Sequence, residues 1–230
     1  MRRLNWCFLR RLFGRLNAQR TNHRIEWRRA EILELRVLPA LAAVVTMGSQ
    51  LYITNDSTDG PEAVVVTNNG GNVQVTNNGN PVAIIGGPLS AAAVTTIDVN
   101  LSSSSADSAD LSAVIAGNGF TNSLLLNCSL GAGDDTLIGS ASLRTHLYGA
   151  DGNDSIVGGS ANDYIEGEGG DDIITAGAGS DIVHGLDGDD WIWGDSGNDH
   201  LDGGFGRDSI YGSDGDDVLL GFAGDDLLFC

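Results

Sequence analysis

The chain has no lysine, only four prolines and three cysteines among 230 residues, and no apolar run near the roughly 18 residues needed to cross a bilayer. Ten of its twelve arginines lie in the first 36 residues; beyond Ala40 only Arg144 and Arg207 face 28 acidic residues, a net −26. A field of that sign repels nucleic acid and anionic membrane, so no nucleic-acid partner is expected, and it attracts cations. Cys7, Cys128 and Cys230 are odd in number and widely scattered, so neither a CxxC metal pair nor a disulfide framework is present. Thirty-three glycines with so little proline and no triplet period exclude a packed helical protein and a collagen-like one. There is no HExxH and no GxSxG, which removes the common signatures of zinc proteases and α/β-hydrolases.

The chain divides into three segments. Residues 1–40 are basic and end in "LELRVLPA", followed by a short apolar stretch through Val44 and Val45, a combination that fits an export leader. "LELRVLPA" resembles the L-E-x-R-x-L-P motif at the start of some large exported bacterial surface proteins. "RRLFGR" matches a twin-arginine signal only loosely, because its apolar run comes too late, and "LNWC" has no apolar stretch before Cys7. Residues 41–129 hold short runs of Val, Ile and Thr broken by Asn-Gly pairs, which are strand and turn signals. They form either irregular coils of one solenoid shared with residues 130–230 or a separate small β domain. The first is favoured, since "SLLLNCSL" runs without a linker into the third segment.

Residues 130–230 repeat with a period of nine. Ten regular units run from "LGAGDDTLI" to "GFAGDDLLF", interrupted once by the ten-residue "GSASLRTHLY" (residues 139–148). The fourth position is Gly in nine of the ten, the sixth is Asp in all ten, and the eighth is Leu, Ile or Val in all ten. Each unit reads as a six-residue Gly/Asp turn and a three-residue strand whose central residue points inward. Two units make one coil of 18 residues, with strands on opposite sides and a thin aliphatic row between them. That row is Leu137, Ile156, Ile165, Ile174, Val183, Ile192, Leu201, Ile210, Leu219 and Leu228. Trp191 and Trp193 flank Ile192 and are expected on the outer face or against each other. "GDSG" (Gly194 to Gly197) falls in frame as positions one to four, which makes Ser196 a variable turn residue. His23, His146, His184 and His200 bear no periodic relation to it, so no catalysis is expected.

One aliphatic side chain in nine residues is too thin a core, and the carboxylates stacked along each edge repel. A divalent cation answers both difficulties. Calcium takes six to eight oxygen ligands in flexible geometry, and carboxylates mixed with turn carbonyls suit it better than they suit magnesium. Sixth-position aspartates two units apart share an edge, which gives seven pairs among the nine units from Gly149 to Phe229. Residues 130–230 carry 22 acidic residues and two arginines, so neutralisation becomes part of folding.

The frame resembles G-G-x-G-x-D-x-U-x, the hemolysin-type (RTX) calcium-binding repeat. The resemblance implies an all-β fold, a parallel β-roll or β-solenoid with an N-terminal β-rich segment. It also implies calcium-dependent folding and export from a bacterial cell. By position, the metal ligands are Asp135, Asp154, Asp163, Asp172, Asp181, Asp190, Asp199, Asp208, Asp217 and Asp226. Departures include bulky Leu186 and Phe222 at the second position, Ala161 for a turn glycine, Arg207 at a fifth position, and Arg144 and Thr145 where the irregular unit should carry Asp. The expected function is calcium binding by a secreted or cell-surface structural or adhesive protein with a cell-surface or matrix partner. The alternative is a calcium-dependent secretion and folding module of a larger hydrolase or toxin.

Overall fold

A strand with one inward aliphatic must pair on both sides and share its core with a strand facing it. The computed structural model shows this arrangement. It describes residues 43–47, 49–54, 61–78, 80–82, 84–85, 90–116 and 119–230; the basic segment 1–40, read as a leader, lies outside the described residues. Twenty strands form two ten-stranded sheets. The chain begins with β1 (Ala43–Met47), β2 (Gln50–Thr54), β3 (Ala63–Asn69), β4 (Asn72–Asn77), β5 (Asn80–Val82), β6 (Ile84–Ile85), β7 (Thr96–Ser103) and β8 (Ser108–Asp110). The repeats supply β9 (Leu125–Gly131), β10 (Thr136–Ile138), β11 (Thr145–Asp151), β12 (Ser155–Gly159), β13 (Tyr164–Gly169) and β14 (Ile173–Ala178). They continue with β15 (Ile182–Asp187), β16 (Trp191–Ser196), β17 (His200–Phe205), β18 (Ser209–Tyr211), β19 (Val218–Ala223) and β20 (Leu227–Phe229). From β7 onward, odd-numbered strands form one sheet and even-numbered strands the other, all paired in parallel.

Register follows the period. Ile165 pairs with Val183 and Val183 with Leu201 on the odd sheet; Ile156 pairs with Ile174 and Ile174 with Ile192 on the even sheet. Each step is one 18-residue coil. The ten-residue unit lengthens a single coil to 19, so Leu137 pairs with Ile156 and Cys128 with Leu147. Leu147, at the inward site of the irregular unit, is fully buried and completes the aliphatic row. The row is open at its far end, where Leu219 is only partly covered and Leu228 is 44% exposed.

The same two sheets continue through residues 43–129. There β2 pairs in parallel with β7, and β7 with β9, while β3 pairs with β8 and β8 with β10. Among the described residues antiparallel strands appear only at this end, as β1 with β2 and the meander β3–β4–β5. Longer strands bring more inward side chains here, among them Leu51, Ile53, Val66, Val75, Ile97 and Leu101, all buried.

Coils stack closely enough that the fourth-position glycine has no room for a side chain. Gly188 has φ +140°, and a Cβ there would overlap the Gly170 carbonyl oxygen of the preceding coil. The second position also lies at positive φ; Gly177 and Gly204 there have no room for a Cβ either, whereas Leu186 at +80° and Phe222 at +57° turn their side chains out to solvent. Substituting Gly188→Ala therefore destabilises the roll by about 3 kcal/mol, whereas Leu186→Gly relieves a strained backbone and changes stability by less than about 1 kcal/mol. Thermal unfolding at fixed calcium concentration, comparing the two variants, checks this difference.

Candidate metal centre

The turns between sheets place the sixth-position aspartates in two columns, one along each edge. Asp135, Asp154, Asp172, Asp190, Asp208 and Asp226 share one edge; Asp163, Asp181, Asp199 and Asp217 share the other. The carboxylates do not merely stack and repel. Each Oδ1 accepts the backbone N–H of the residue at the same place one coil earlier, an aspartate everywhere but before Asp163. Asp172 N–H donates to Asp190 Oδ1, and Asp190 N–H to Asp208 Oδ1, both at 2.9 Å. On the opposite edge Asp163 N–H reaches Asp181 Oδ1 at 2.7 Å and Asp181 N–H reaches Asp199 Oδ1 at 2.9 Å.

The second oxygen is treated differently. Oδ2 of Asp135, Asp154, Asp163, Asp172, Asp181, Asp190, Asp199 and Asp208 is buried without a hydrogen-bond partner. Eight such atoms match eight pairs of neighbouring turns, one more than the seven read from the regular units. The additional pair is Asp135 with Asp154, joined across the 19-residue coil by an N–H···Oδ1 bond of 2.8 Å. Asp217 and Asp226 occupy the last coil and are half-exposed.

First-position glycines leave space beside six of the eight bare oxygens; Leu130 and Ala176 hold that position in the units of Asp135 and Asp181. Asp190 Oδ2 and the Gly203 carbonyl oxygen both lie within 2.6 Å of where a Cβ on Gly185 would be. The same relation holds at Gly149, with Asp154 Oδ2 and the Gly167 carbonyl, and at Gly167, with Asp172 Oδ2 and the Gly185 carbonyl. At Gly149, Gly158, Gly167, Gly185 and Gly194 the spot thus combines a buried carboxylate oxygen with a backbone carbonyl of the next coil. A buried carboxylate oxygen without a donor is costly unless a cation sits beside it. All donors here are oxygen, which suits a hard divalent ion. Among the described residues no three His, Cys, Asp or Glu side chains converge on one point, so backbone carbonyls must complete any coordination shell.

Burial shifts the column as expected for metal-free carboxylates. It raises Asp190 to about 8 and Asp135, Asp172 and Asp181 to about 7, with Asp154 and Asp163 at about 6. Asp199 and Asp208 move in the same direction. In each case loss of hydration is the largest cause, and the backbone N–H bond opposes it.

A family model for the RTX calcium-binding nonapeptide repeat matches the chain four times, over residues 130–142, 148–183, 176–210 and 202–229. Residues 130–229 are RTX calcium-binding repeats. Such repeats bind calcium, and the oxygen-only surroundings of the bare Oδ2 atoms agree with that ion. Comparison with curated proteins found no match, and comparison with solved structures found none. The residues between two of the matched stretches, 143–147, belong to the irregular unit. There Thr145 takes the aspartate's place and donates both N–H and Oγ1–H to Asp163 Oδ1, at 2.6 and 2.9 Å. No carboxylate stands before Asp163 on that edge.

The other RTX edge extends further than its repeats. Asp107 N–H donates to Asp135 Oδ1 at 2.6 Å, and Glu62 N–H to Asp107 Oδ1 at 2.9 Å. Asp107 and Ala109 fill the sixth and eighth places of a degenerate unit, "SSSSADSAD". With neither glycine nor a large aliphatic residue, that unit carries only a faint sequence signal. Ser196 of "GDSG" lies at the end of β16, where its carbonyl accepts the Gly179 N–H at 2.8 Å.

Because the folded-state values lie above the ordinary 3.8 of an aspartate, the metal-free roll holds protons that the unfolded chain has released between about pH 4 and 8. Its stability is greatest at the acid end of that window and falls as pH rises. Without metal, moving from pH 8 to pH 5 should increase the β signal in far-UV circular dichroism. A metal-free signal that is flat or falls on acidification contradicts this.

Proposed function

We propose that this chain is an exported structural or adhesive protein whose repeat region folds on binding calcium. The observation that carries the reading is the set of eight buried aspartate oxygens without a partner. In water each would be hydrated. In the roll each needs a proton or a cation, and near neutral pH calcium displaces the protons that the metal-free column retains. Folding and calcium uptake are then one equilibrium, because the unfolded chain has no such sites.

The ligands in this reading are Asp135, Asp154, Asp163, Asp172, Asp181, Asp190, Asp199, Asp208, Asp217 and Asp226, each with carbonyls from neighbouring turns. Asp217 and Asp226 cap the coils before them through Oδ1, as the other members do, and their Oδ2 atoms lie beside Gly212 and Gly221. The domain organisation that accompanies it is a basic leader over 1–40, irregular coils over 41–129 and the calcium-loaded roll over 130–230. Strands that share both sheets across residue 129 support treating the last two as one solenoid. Export supplies the millimolar calcium that a cytosol lacks and agrees with the leader-like basic segment. The described residues include no helix long and apolar enough to cross a membrane. A repetitive fold with turn side chains committed to ions favours a scaffold over a catalyst, with a cell-surface or matrix partner.

The test is far-UV circular dichroism of the chain during calcium titration, with magnesium as the control. Calcium at millimolar concentration should raise the β signal cooperatively, while magnesium at equal concentration should not. Asp190→Asn, in the middle of one column, keeps an acceptor at Oδ1 but removes the charge. It should raise the calcium midpoint by at least roughly tenfold, the scale on which even outer-shell losses weaken metal binding. A β signal indifferent to calcium, or an unchanged midpoint in Asp190→Asn, rejects the reading.

A further inference from the structure

The irregular unit gives up a carboxylate and puts a cation beside its place. Arg144 Nε–H donates to the Asn162 carbonyl at 2.7 Å, which fixes the guanidinium at the rim of the odd sheet. Among the described residues no carboxylate lies within ion-pair distance of Arg144, whereas Arg207 is held by Asp189 Oδ2 at 2.6 Å. One unpaired cation therefore stands on a surface otherwise crowded with aspartate.

Beneath it the outer face of the odd sheet forms a concavity of about 290 Å³ lined by Arg144, His146, Tyr148, Tyr164 and Ile182, with Ser180 on the next turn. Its rings meet at steep angles. His146 and Tyr164 lie 5.8 Å apart at 62°, and Tyr148 and Tyr164 lie 6.2 Å apart at 53°. Tyr164 also meets His184 at 5.8 Å and 59°, and its hydroxyl donates to Glu166 Oε1; rings tilted in this way cover one another only in part. The even sheet is different. There Trp193 stacks on Tyr211 at 8° and Tyr211 on Phe229 at 4°, so those faces are spent on each other. The even sheet's aromatic column stabilises the roll; the odd sheet's tilted rings leave part of their faces open to the concavity.

An open ring face bordered by hydroxyls, an imidazole and a guanidinium fork suits a sugar. The C–H face of a pyranose packs on the ring, the hydroxyls find donors and acceptors, and the fork pairs with a carboxylate. The volume fits about one sugar unit. Asp163, whose Oδ2 is among the bare oxygens, also lines the concavity, so calcium on that edge would offset the charge an anionic ligand meets.

We propose that this concavity binds a carboxylate-bearing sugar unit of an acidic glycan, with Arg144 pairing with the carboxylate and Tyr164 packing against the ring. This deepens the adhesive reading and rests on it only in requiring the folded roll.

The experiment uses the full chain in millimolar calcium, titrated with a glucuronate-containing trisaccharide and with a neutral glucose trisaccharide. Binding is followed by calorimetry and by saturation transfer from protein to sugar protons. The acidic sugar should bind and receive saturation, and the neutral one should bind at least tenfold more weakly. Arg144→Gln should lose at least tenfold for the acidic sugar, Tyr164→Leu should abolish binding, and Arg207→Gln should leave it unchanged. Equal binding of both sugars, absence of saturation transfer to either, or undiminished binding by Arg144→Gln overturns the proposal. Arg144 is exposed, so its variant decides the matter even if Tyr164→Leu misfolds. Circular dichroism on the same samples separates the two readings. A β signal indifferent to calcium defeats the calcium reading, whereas a chain that has the signal but binds no acidic sugar defeats this one.

Discussion

Eight of the ten sixth-position aspartates divide their carboxylates between two tasks. Oδ1 caps the backbone of the previous coil, as in the 2.9 Å bond from Asp172 N–H to Asp190 Oδ1, and Oδ2 is left bare inside the turn. The rest of the repeat region depends on this division. The N–H bond fixes the height of one coil on the next, so the 18-residue step is set at the edges as well as by the inward aliphatic row. The bare oxygen makes the arrangement conditional, since it is costly until a proton or a cation arrives. A nearly coreless solenoid thus couples its geometry to its electrostatics at every turn, and each coil depends on its neighbours alone.

The repeats look uniform in one dimension, yet the solenoid they build is not symmetric. One aspartate column runs through Asp135 and on to Asp107 and Glu62, beyond the nonapeptides; the other stops at Asp163, where Thr145 replaces the carboxylate with two hydrogen-bond donors. The sheets differ as well. The outward positions that flank the inward aliphatic on the even strands from β10 to β20 carry no Asp, Glu, Arg or His, and Trp193, Tyr211 and Phe229 stack flat there. Outward positions of the odd strands hold histidine, tyrosine and acidic residues, including a His184–Asp202 contact at 3.4 Å. Because consecutive units alternate between sheets, a chemical difference between odd and even units becomes a difference between two faces.

Much of the repeat region is legible in the chain alone. A period of nine with one invariant aspartate and one invariant aliphatic implies the parallel pairing Ile165–Val183–Leu201 and the edge columns, since only stacked coils satisfy both positions at once. Less is legible where the period breaks. Leu147 takes the inward place of the irregular unit, but ten residues in place of nine hide which leucine, Leu143 or Leu147, stays in register. Asp107 belongs to a column that its own unit, without glycine or a large aliphatic, scarcely announces. Residues 43–129 show strands by composition, yet composition does not reveal that β2 and β7 share a sheet with β9, because that depends on contacts far apart in sequence.

By itself, then, the sequence determined the coil length, the inward row, the edge aspartates and the identity of a hard cation as their partner, because all four are periodic and local. Tertiary structure alone decided which carboxylate oxygen is satisfied and which is bare. It also decided that Arg144 stands unpaired over open rings, and that Trp193, Tyr211 and Phe229 cover one another. Those outcomes depend on the angle and spacing between coils, which no single repeat contains.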